Sequence, residues 1–208
     1  VKGSDTMVIL GQRWAEDYMK KIKGVVIQVT GGGSGTGIAA LINGLTDIAQ
    51  SSRPMKEKEK NIILEKRKKQ VEEIPVAVDG IAVYVHQSNP LETLNLSQLK
   101  AIYTGQVKKW SALTNFEEPL ITYGRENNSG TYAYFKEHVL GDEDFAPEVL
   151  SLPGTAAVIN AVSKDKRAIG YGGIAYGHGV KIIKVSNDAK SQAYAPSQEN
   201  VLNGKYHI

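Results

Sequence analysis

The stretch that decides the fold is Val25-Val26-Ile27-Gln28-Val29-Thr30-Gly31-Gly32-Gly33-Ser34-Gly35-Thr36-Gly37. Its first six residues are mostly β-branched and form a short run, which predicts a buried strand. The glycines end this strand, and apolar residues at helical spacing resume over residues 38–45. A second strand is predicted over 47–52. Strand, glycine loop, helix and strand in this order indicate an α/β fold with parallel elements.

The same alternation continues on both sides of this stretch. A helix is predicted over 8–22, and a charged amphipathic helix over 56–73. Strands are predicted over 74–78, 81–85, 120–123, 168–171 and 180–185, and helices over 96–103, 131–139 and 156–163. A strand, polar loop and helix therefore occur twice with a similar loop, which favours two lobes built on one local plan.

Composition excludes several classes of protein. The 208 residues carry a formal charge of +3, 41% hydrophobic residues and no cysteine. There is no disulfide, no apolar run of the roughly 20 residues that cross a bilayer, and no histidine spacing typical of a metal site. The helix over 56–73 interleaves Glu with Lys and has no aromatic residue, which argues against nucleic-acid binding. We expect no metal and no cofactor, and a mature form without a leader.

Three loops share one chemical character. Ser34-Gly35-Thr36, Ser129-Gly130-Thr131 and Ser4-Asp5-Thr6 each place hydroxyls and backbone N–H groups at a predicted helix start. The first turn of a helix has N–H groups without intrahelical partners, and its dipole is positive there. Such loops suit an anion, and Arg53 and Arg125 lie beside two of them. Each loop alone is also typical of an ordinary helix cap, and each arginine alone of a surface charge.

Other functions of these loops are less well supported. The glycine loop lacks the lysine of a Walker motif, so a nucleotide site is not favoured. A phosphate-ester hydrolase using Ser34 or Ser129 would need a general base, and no histidine is placed to provide one. The residues favour a protein that binds an anion and is not an enzyme.

Several segments taken together resemble one known family. Residues 29–41 and 47–53 are similar to the first-lobe signature of the phosphate-specific substrate-binding proteins of ABC importers (PstS-like), and residues 124–132 with Phe135 are similar to the second-lobe signature. Residues 3–7 and 99–105 with Trp110 also fit. The resemblance extends over nearly the whole chain, from Gly3 to about Tyr206.

The resemblance implies a type II periplasmic-binding-protein fold with a mixed sheet in each lobe and a hinge of two strands. We expect one lobe from 1–77 and 178–208 and the other from 78–177, with crossings near 76–80 and 172–179 and the ligand in the cleft between the lobes. It implies phosphate as ligand, the membrane permease and ATPase subunits of an importer as partners, and no nucleic acid. A monomer at the periplasmic or outer face of the cytoplasmic membrane, with lipid anchoring possible before processing, is expected.

The resemblance also implies a set of ligand contacts. Hydroxyls and backbone N–H groups are expected to donate to phosphate oxygens, and Arg125 to add a charge-assisted pair. The implied set is Ser4, Asp5, Thr6, Met7, Ser34, Gly35, Thr36, Ser52, Arg53, Arg125, Ser129, Gly130 and Thr131.

The chain departs from the family pattern in two places. Many relatives have a carboxylate at the position of Ser52, where it accepts the proton of phosphate and repels fully ionised sulfate. Asp5 is the acid inside a matching motif, so we expect Asp5 to be that acceptor. Relatives also continue beyond the position of Ile208, so a shortened C-terminus is expected. A runner-up function is an oxyanion-binding sensor or adhesion domain that is not coupled to transport.

Overall fold

The computed structural model describes all 208 residues, which group into two compact units. The first unit comprises Val1–Val76 and Glu126–Ala133, and the second comprises Ala77–Arg125 and Tyr134–Ile208. The predicted division into lobes stays a prediction, and it differs from these units in two stretches. Residues 126–133 belong to the first unit, and residues 178–208 belong to the second, because a strand within 178–208 is held there by backbone ladders. None of the helices is both long enough and apolar enough to cross a membrane.

The first unit is a small parallel sheet covered by helices. Its elements are β1 (Lys2–Gly3), α1 (Val8–Lys21), α2 (Ser34–Ile42), β2 (Ala49–Gln50) and α3 (Glu57–Arg67). Strands β1 and β2 pair in parallel, with Lys2 opposite Ala49 and Gly3 opposite Gln50. Helix α2 packs on both strands, and α3 packs on α2. Ile38, Met55 and Ile63 form the core between these two helices.

Helix α2 approaches β1 so closely that only glycine fits at the contact. A Cβ atom on Gly37 would lie 2.4 Å from the Lys2 carbonyl oxygen and 2.5 Å from the Gly3 Cα atom. Both of these are backbone atoms, which cannot rotate away as a side chain can. Gly37 therefore sets the distance between α2 and the sheet, and with it the position of Ser34 at the start of the helix.

The second unit contains a six-stranded mixed sheet and most of the remaining helices. Its elements are β3 (Ile81–Val85), β4 (Thr93–Asn95), α4 (Leu96–Tyr103), β5 (Ile121–Arg125), α5 (Gly130–His138), β6 (Leu150–Leu152), α6 (Gly154–Lys164), β7 (Ala168–Gly173), β8 (Lys181–Ser186) and α7 (Gln198–Leu202), of which α5 begins in the first unit. The strand order is β4-β8-β3-β7-β5-β6. Strand β3 is antiparallel to β7 and β8, whereas β5 is parallel to β7 and β6. The predicted α/β fold is confirmed.

Strand β3 separates two cores because successive side chains of a strand point to opposite faces. Ala82 and Tyr84 face Val158 and Val162 of helix α6. Val83 and its same-face neighbours join the larger core around Trp110, Phe135 and Tyr171. All five residues of β3 are buried, so the central strand is covered on both faces, as its uninterrupted apolar sequence predicts.

Two predicted strands are wrong. Within residues 25–30 only Thr30 forms a bridge, with Lys2 of β1. Val26 is 81% exposed, and the Ile27 N–H donates to the Met19 Sδ atom rather than to a strand ladder. Residues 74–78 are Ile-Pro-Val-Ala-Val, and Ile74 and Val78 are 70% and 71% exposed. This apolar run matches a strand, but no strand of either sheet pairs with it. A β-branched run shows β propensity without showing that a partner strand is present.

We predict that Gly37→Ala destabilises the protein. An alanine in an open helix position would stabilise it by about 1 kcal/mol relative to glycine, but here the added methyl group would meet the β1 backbone. A net loss of about 1–3 kcal/mol in the free energy of unfolding is expected, measured by urea denaturation. Ala39→Ser on the exposed side of the same helix is the control, with an effect of about 0.5 kcal/mol. A stabilised Gly37→Ala protein would contradict the close contact.

Candidate functional site

Three predicted residues from separate parts of the chain meet at the start of α2. The Ser34 Oγ atom lies 3.2 Å from the Ser52 Oγ atom and accepts a hydrogen bond from the Ser52 N–H at 3.1 Å. A Cβ atom on Gly130 would lie 2.4 Å from Ser52 Oγ and 2.5 Å from Ser34 Oγ. The backbone of residue 130 therefore rests directly against both hydroxyls. A side chain at residue 130 would displace them, so the packing requires glycine here. Its role as a ligand contact stays a prediction.

The helix that carries Ser34 begins in a conformation that glycine provides. Gly33, the residue before α2, has a φ angle of +90°, and no side chain caps the helix. L-residues rarely adopt this backbone conformation, which glycine adopts without strain. The loop therefore enters the helix without a side chain that would cover its first turn.

A second pair of hydroxyls joins the loop at Ser4 to the loop at Ser129. The Thr6 Oγ1 and Thr131 Oγ1 atoms are 3.2 Å apart, and either can be the donor. Ser4 and Ser129 are both buried. The Ser129 hydroxyl accepts a hydrogen bond from the Tyr132 N–H at 3.3 Å, as an ordinary helix cap would. The structure thus brings hydroxyls of all three predicted loops into the first unit.

Asn128 connects the two glycine-containing loops and is not among the predicted contacts. Its carbonyl oxygen accepts from the Gly35 N–H at 2.8 Å, and its side-chain amide donates to the Gly32 carbonyl and to Thr36 Oγ1. The Gly35 N–H, predicted to donate to a ligand, donates here to the protein. Asn128 lies next to Ser129 in sequence, but nothing in its sequence context distinguishes it from a turn residue.

Asp5 and Met7 form hydrogen bonds that hold the loop at Ser4 in place. The Asp5 Oδ1 atom accepts a hydrogen bond from the Gly32 N–H at 2.8 Å, and a Cβ atom on Gly31 would lie 2.4 Å from the same oxygen. Asp5 thereby connects the loop at Ser4 to the glycine-rich loop before Ser34. Met7 immediately precedes α1, and its N–H donates to the Ser4 carbonyl at 3.1 Å.

Arg53 is directed at a carboxylate of its own unit. Its Nη1 and Nη2 atoms donate to the two carboxylate oxygens of Glu59 at 2.9 and 2.7 Å, and Nη1 also donates to the Pro54 carbonyl. This bidentate bond lowers the pKa of Glu59 and raises that of Arg53. Glu59 also accepts from the Lys56 N–H. The pair fixes the segment after Ser52 to the start of α3, and a ligand role for Arg53 stays a prediction.

The second predicted arginine lies in the second unit. Arg125 ends strand β5 and is 2% exposed. Its Nη1 atom donates to the Thr155 Oγ1 atom at 2.9 Å, and this bond is buried. Burial raises the pKa of the nearby Tyr84 hydroxyl well above its usual value, and the positive charge of Arg125 opposes part of that rise.

The predicted residues of the first unit offer mainly hydroxyls, with the carboxylate of Asp5 beside them. The hydroxyls pair with one another, and each can both donate and accept. No group of three or more His, Cys, Asp or Glu side chains could hold a metal ion. The arrangement therefore fits a small ligand that carries several oxygens.

Comparison with known proteins defines the class of the chain. The model of the PBP superfamily domain matches residues 1–208, so the chain belongs to that superfamily. A substrate-binding protein of a phosphate ABC transporter from Clostridium perfringens, described as putative and solved with bound phosphate, is 30% identical. It has a TM-score of 0.88, over 100% of this chain and 81% of that one. A phosphate transport receptor from Vibrio cholerae is 27% identical, with a TM-score of 0.72 over 99% of this chain and 81% of that one.

Curated relatives narrow the class. The phosphate-binding protein PstS of Pseudomonas aeruginosa is 36% identical over 219 residues, covering 99% of this chain and 68% of the relative. Protein SphX of Synechococcus elongatus is 31% identical, covering 98% of this chain and 63% of the relative. The chain is a PstS-like member of the superfamily, as its motifs predict, and it spans about two thirds of the length of these relatives.

We predict that the Arg53–Glu59 pair stabilises the fold in a pH-dependent way. Because Arg53 lowers the pKa of the Glu59 carboxyl below its usual value, the contribution is complete above the usual pKa of a glutamate and is lost as pH falls through the lowered folded-state pKa. Glu59→Gln should lower the free energy of unfolding at neutral pH by about 1 kcal/mol, and the difference from the unsubstituted protein should vanish in acid.

Urea denaturation across the acid range measures this difference. Glu57→Gln removes an exposed charge from the same helix turn, where Glu57 pairs with Lys60, and it serves as the control with a smaller effect. A difference between Glu59→Gln and the unsubstituted protein that stays constant down to low pH would mean that the ion pair is not its cause.

Proposed function

We propose that the chain binds inorganic phosphate reversibly and delivers it to the membrane permease of an ABC importer. The observation that carries the proposal is the convergence of the Ser34 and Ser52 hydroxyls against the backbone of Gly130. Similarity to proteins named for phosphate binding supports the choice of ligand. The proposal includes no chemical step on the phosphate.

Binding by neutral donors explains how an anion can be held without a cluster of lysines. Hydroxyl and N–H dipoles fixed in advance stabilise negative charge, and they do so more strongly where water is excluded. Ser34, Ser129 and Thr131 are all buried, and the hydroxyls of Ser34 and Thr131 pair with those of Ser52 and Thr6. In the proposed complex, hydroxyls of these pairs donate to ligand oxygens. A sugar or an apolar ligand would leave such a compact hydroxyl group poorly matched.

Arg125 supplies the full positive charge in this proposal. A guanidinium binds two oxygens of a tetrahedral anion at once, and charge-assisted bonds are about twice as strong as neutral ones. Among the other predicted contacts, the serines, threonines, glycines and Met7 contribute hydroxyls or backbone N–H groups, and Asp5 contributes an acceptor. Arg53 is a weaker candidate because Glu59 already accepts from its fork.

The proposed setting follows from the family. We place the protein at the periplasmic or outer face of the cytoplasmic membrane, as a monomer that meets permease and ATPase subunits of an importer. The similar protein from C. perfringens is described as a putative substrate-binding protein of a phosphate ABC transporter, which supports these partners. Release and capture would then be conformational events rather than catalytic ones.

We predict that the intact chain binds phosphate with micromolar or tighter affinity in titration calorimetry, and binds sulfate, molybdate and phosphonate more weakly. Gly130→Ala should weaken phosphate binding at least tenfold, since its Cβ atom would displace the Ser34 and Ser52 hydroxyls. A tenfold loss corresponds to about 1.4 kcal/mol. The thermal stabilisation that phosphate gives should decrease in parallel.

Gly177→Ala is the matched control, because its Cβ atom would first meet the terminal methyl group of Ile182 in the second unit. Its phosphate affinity should equal that of the unsubstituted chain. Failure of any oxyanion to bind at micromolar concentration would refute the proposal. Steady hydrolysis of a chromogenic phosphate ester would refute the claim that no chemistry occurs.

We predict that Asp5 determines the preference for phosphate over sulfate. A carboxylate accepts the proton that phosphate carries and repels sulfate, which carries none. Asp5→Asn keeps an oxygen that can accept from the Gly32 N–H, so the loop should remain in place. We expect about tenfold weaker phosphate binding and stronger sulfate binding.

Asp17→Asn changes the net charge equally on the exposed face of α1, where Asp17 pairs with Lys20. It should leave both affinities unchanged in calorimetry. If Asp5→Asn retains the phosphate affinity and the sulfate rejection of the unsubstituted protein, Asp5 is not the acceptor.

A further inference from the structure

Thr155 holds the buried arginine of the second unit. Its hydroxyl oxygen accepts a hydrogen bond from Arg125 Nη1 at 2.9 Å. Thr155 is 1% exposed and Arg125 is 2% exposed, so the bond is shielded from water. Hydrogen bonds to a charged group contribute more than neutral ones, and more still where water is excluded. Loss of this acceptor would leave the guanidinium less firmly oriented.

The Thr155 side chain is itself fixed by close packing. Residue 172 of β7 has no side chain, and a Cβ atom there would lie 2.4 Å from Thr155 Cγ2 and 3.3 Å from Thr155 Oγ1. The ring of Tyr84 lies 3.3 Å from the same point, and its hydroxyl donates to the Gly173 carbonyl. Threonine also has few rotamers because it is branched at Cβ. The hydroxyl is therefore directed at Arg125 by the shape of its surroundings.

The place of Thr155 in its helix adds an electrostatic argument. Thr155 lies in the first turn of α6, and no side chain caps that helix. The first turn of α6, where the helix dipole is positive, therefore lies beside the guanidinium of Arg125. Both features favour an anion at this place. The Thr155 hydroxyl accepts a hydrogen bond from Arg125 without adding a negative charge of its own.

We propose that Thr155 is a positioning residue, which holds the Arg125 guanidinium in the orientation that binds the oxyanion. This inference rests on the proposed phosphate binding, and it assigns Thr155 no direct contact with the ligand. Nothing in the sequence singles Thr155 out, since a threonine after Pro153-Gly154 is typical of an ordinary helix start.

Two substitutions separate the hydroxyl from the shape of the side chain. Thr155→Val keeps the branched shape and removes the acceptor, and it should weaken phosphate binding about tenfold in calorimetry. Thr155→Ser keeps the acceptor and should stay within about threefold of the unsubstituted protein. Thermal unfolding without ligand shows whether each variant is folded, and Thr155→Ala takes the place of the valine variant if that one is not.

A second pair tests the packing. Gly172→Ala should weaken phosphate binding because its methyl group meets Thr155 Cγ2. Combining it with Thr155→Ser, which lacks Cγ2, should restore most of the affinity. A purely structural role for Thr155 would change stability without this rescue of binding.

A third comparison tests whether Thr155 acts through the guanidinium. In an Arg125→Lys background, which lacks the fork, Thr155→Val should cause no further loss of phosphate affinity. An equal loss in both backgrounds, or wild-type affinity in Thr155→Val, would overturn the positioning role while leaving phosphate binding itself intact. Absence of phosphate binding by the unsubstituted chain would instead refute the proposed function.

Discussion

The candidate site depends on one steric constraint, which is that residue 130 has no room for a methyl group. The Ser34 and Ser52 hydroxyls both lie where a Cβ atom of residue 130 would be. This contact requires α2 to begin at a fixed distance from the loop that contains Gly130. That distance depends in turn on Gly37, through which α2 rests on the backbone of β1. Two glycines thus place the Ser34 hydroxyl that the proposed function needs, and both do so through the close approach of their backbone atoms.

The two arginines beside the predicted loops show how environment decides the role of a residue type. Arg53 forms a bidentate bond with Glu59, which fixes the chain after Ser52 and uses its fork for stability. Arg125 donates to the hydroxyl of Thr155 and is buried more deeply. Two residues of the same type therefore have different surroundings, which the net charge of +3 does not distinguish.

The sequence predicts most of the helices and strands because their apolar periodicity reflects packing that does form. Strand β3 and helix α4 lie where their patterns place them. The strands predicted over 25–30 and 74–78 are absent, apart from the bridge between Thr30 and Lys2, because pairing with a partner strand depends on residues distant in sequence. The loops at Ser34 and Ser129 were predictable from their hydroxyls and glycines. Asn128 and Thr155 were not, since each acts through a contact with a residue distant in sequence.

The paired hydroxyls have a consequence for how the protonation state of a ligand is recognised. Between Ser34 and Ser52, and between Thr6 and Thr131, either oxygen can donate. Rotation about a C–O bond reverses such a bond without moving any heavy atom. The same rigid frame can therefore present a hydrogen to one ligand oxygen or a lone pair to another. The site can therefore match different protonation states of a ligand by rotating its hydroxyl hydrogens, without any movement of the backbone.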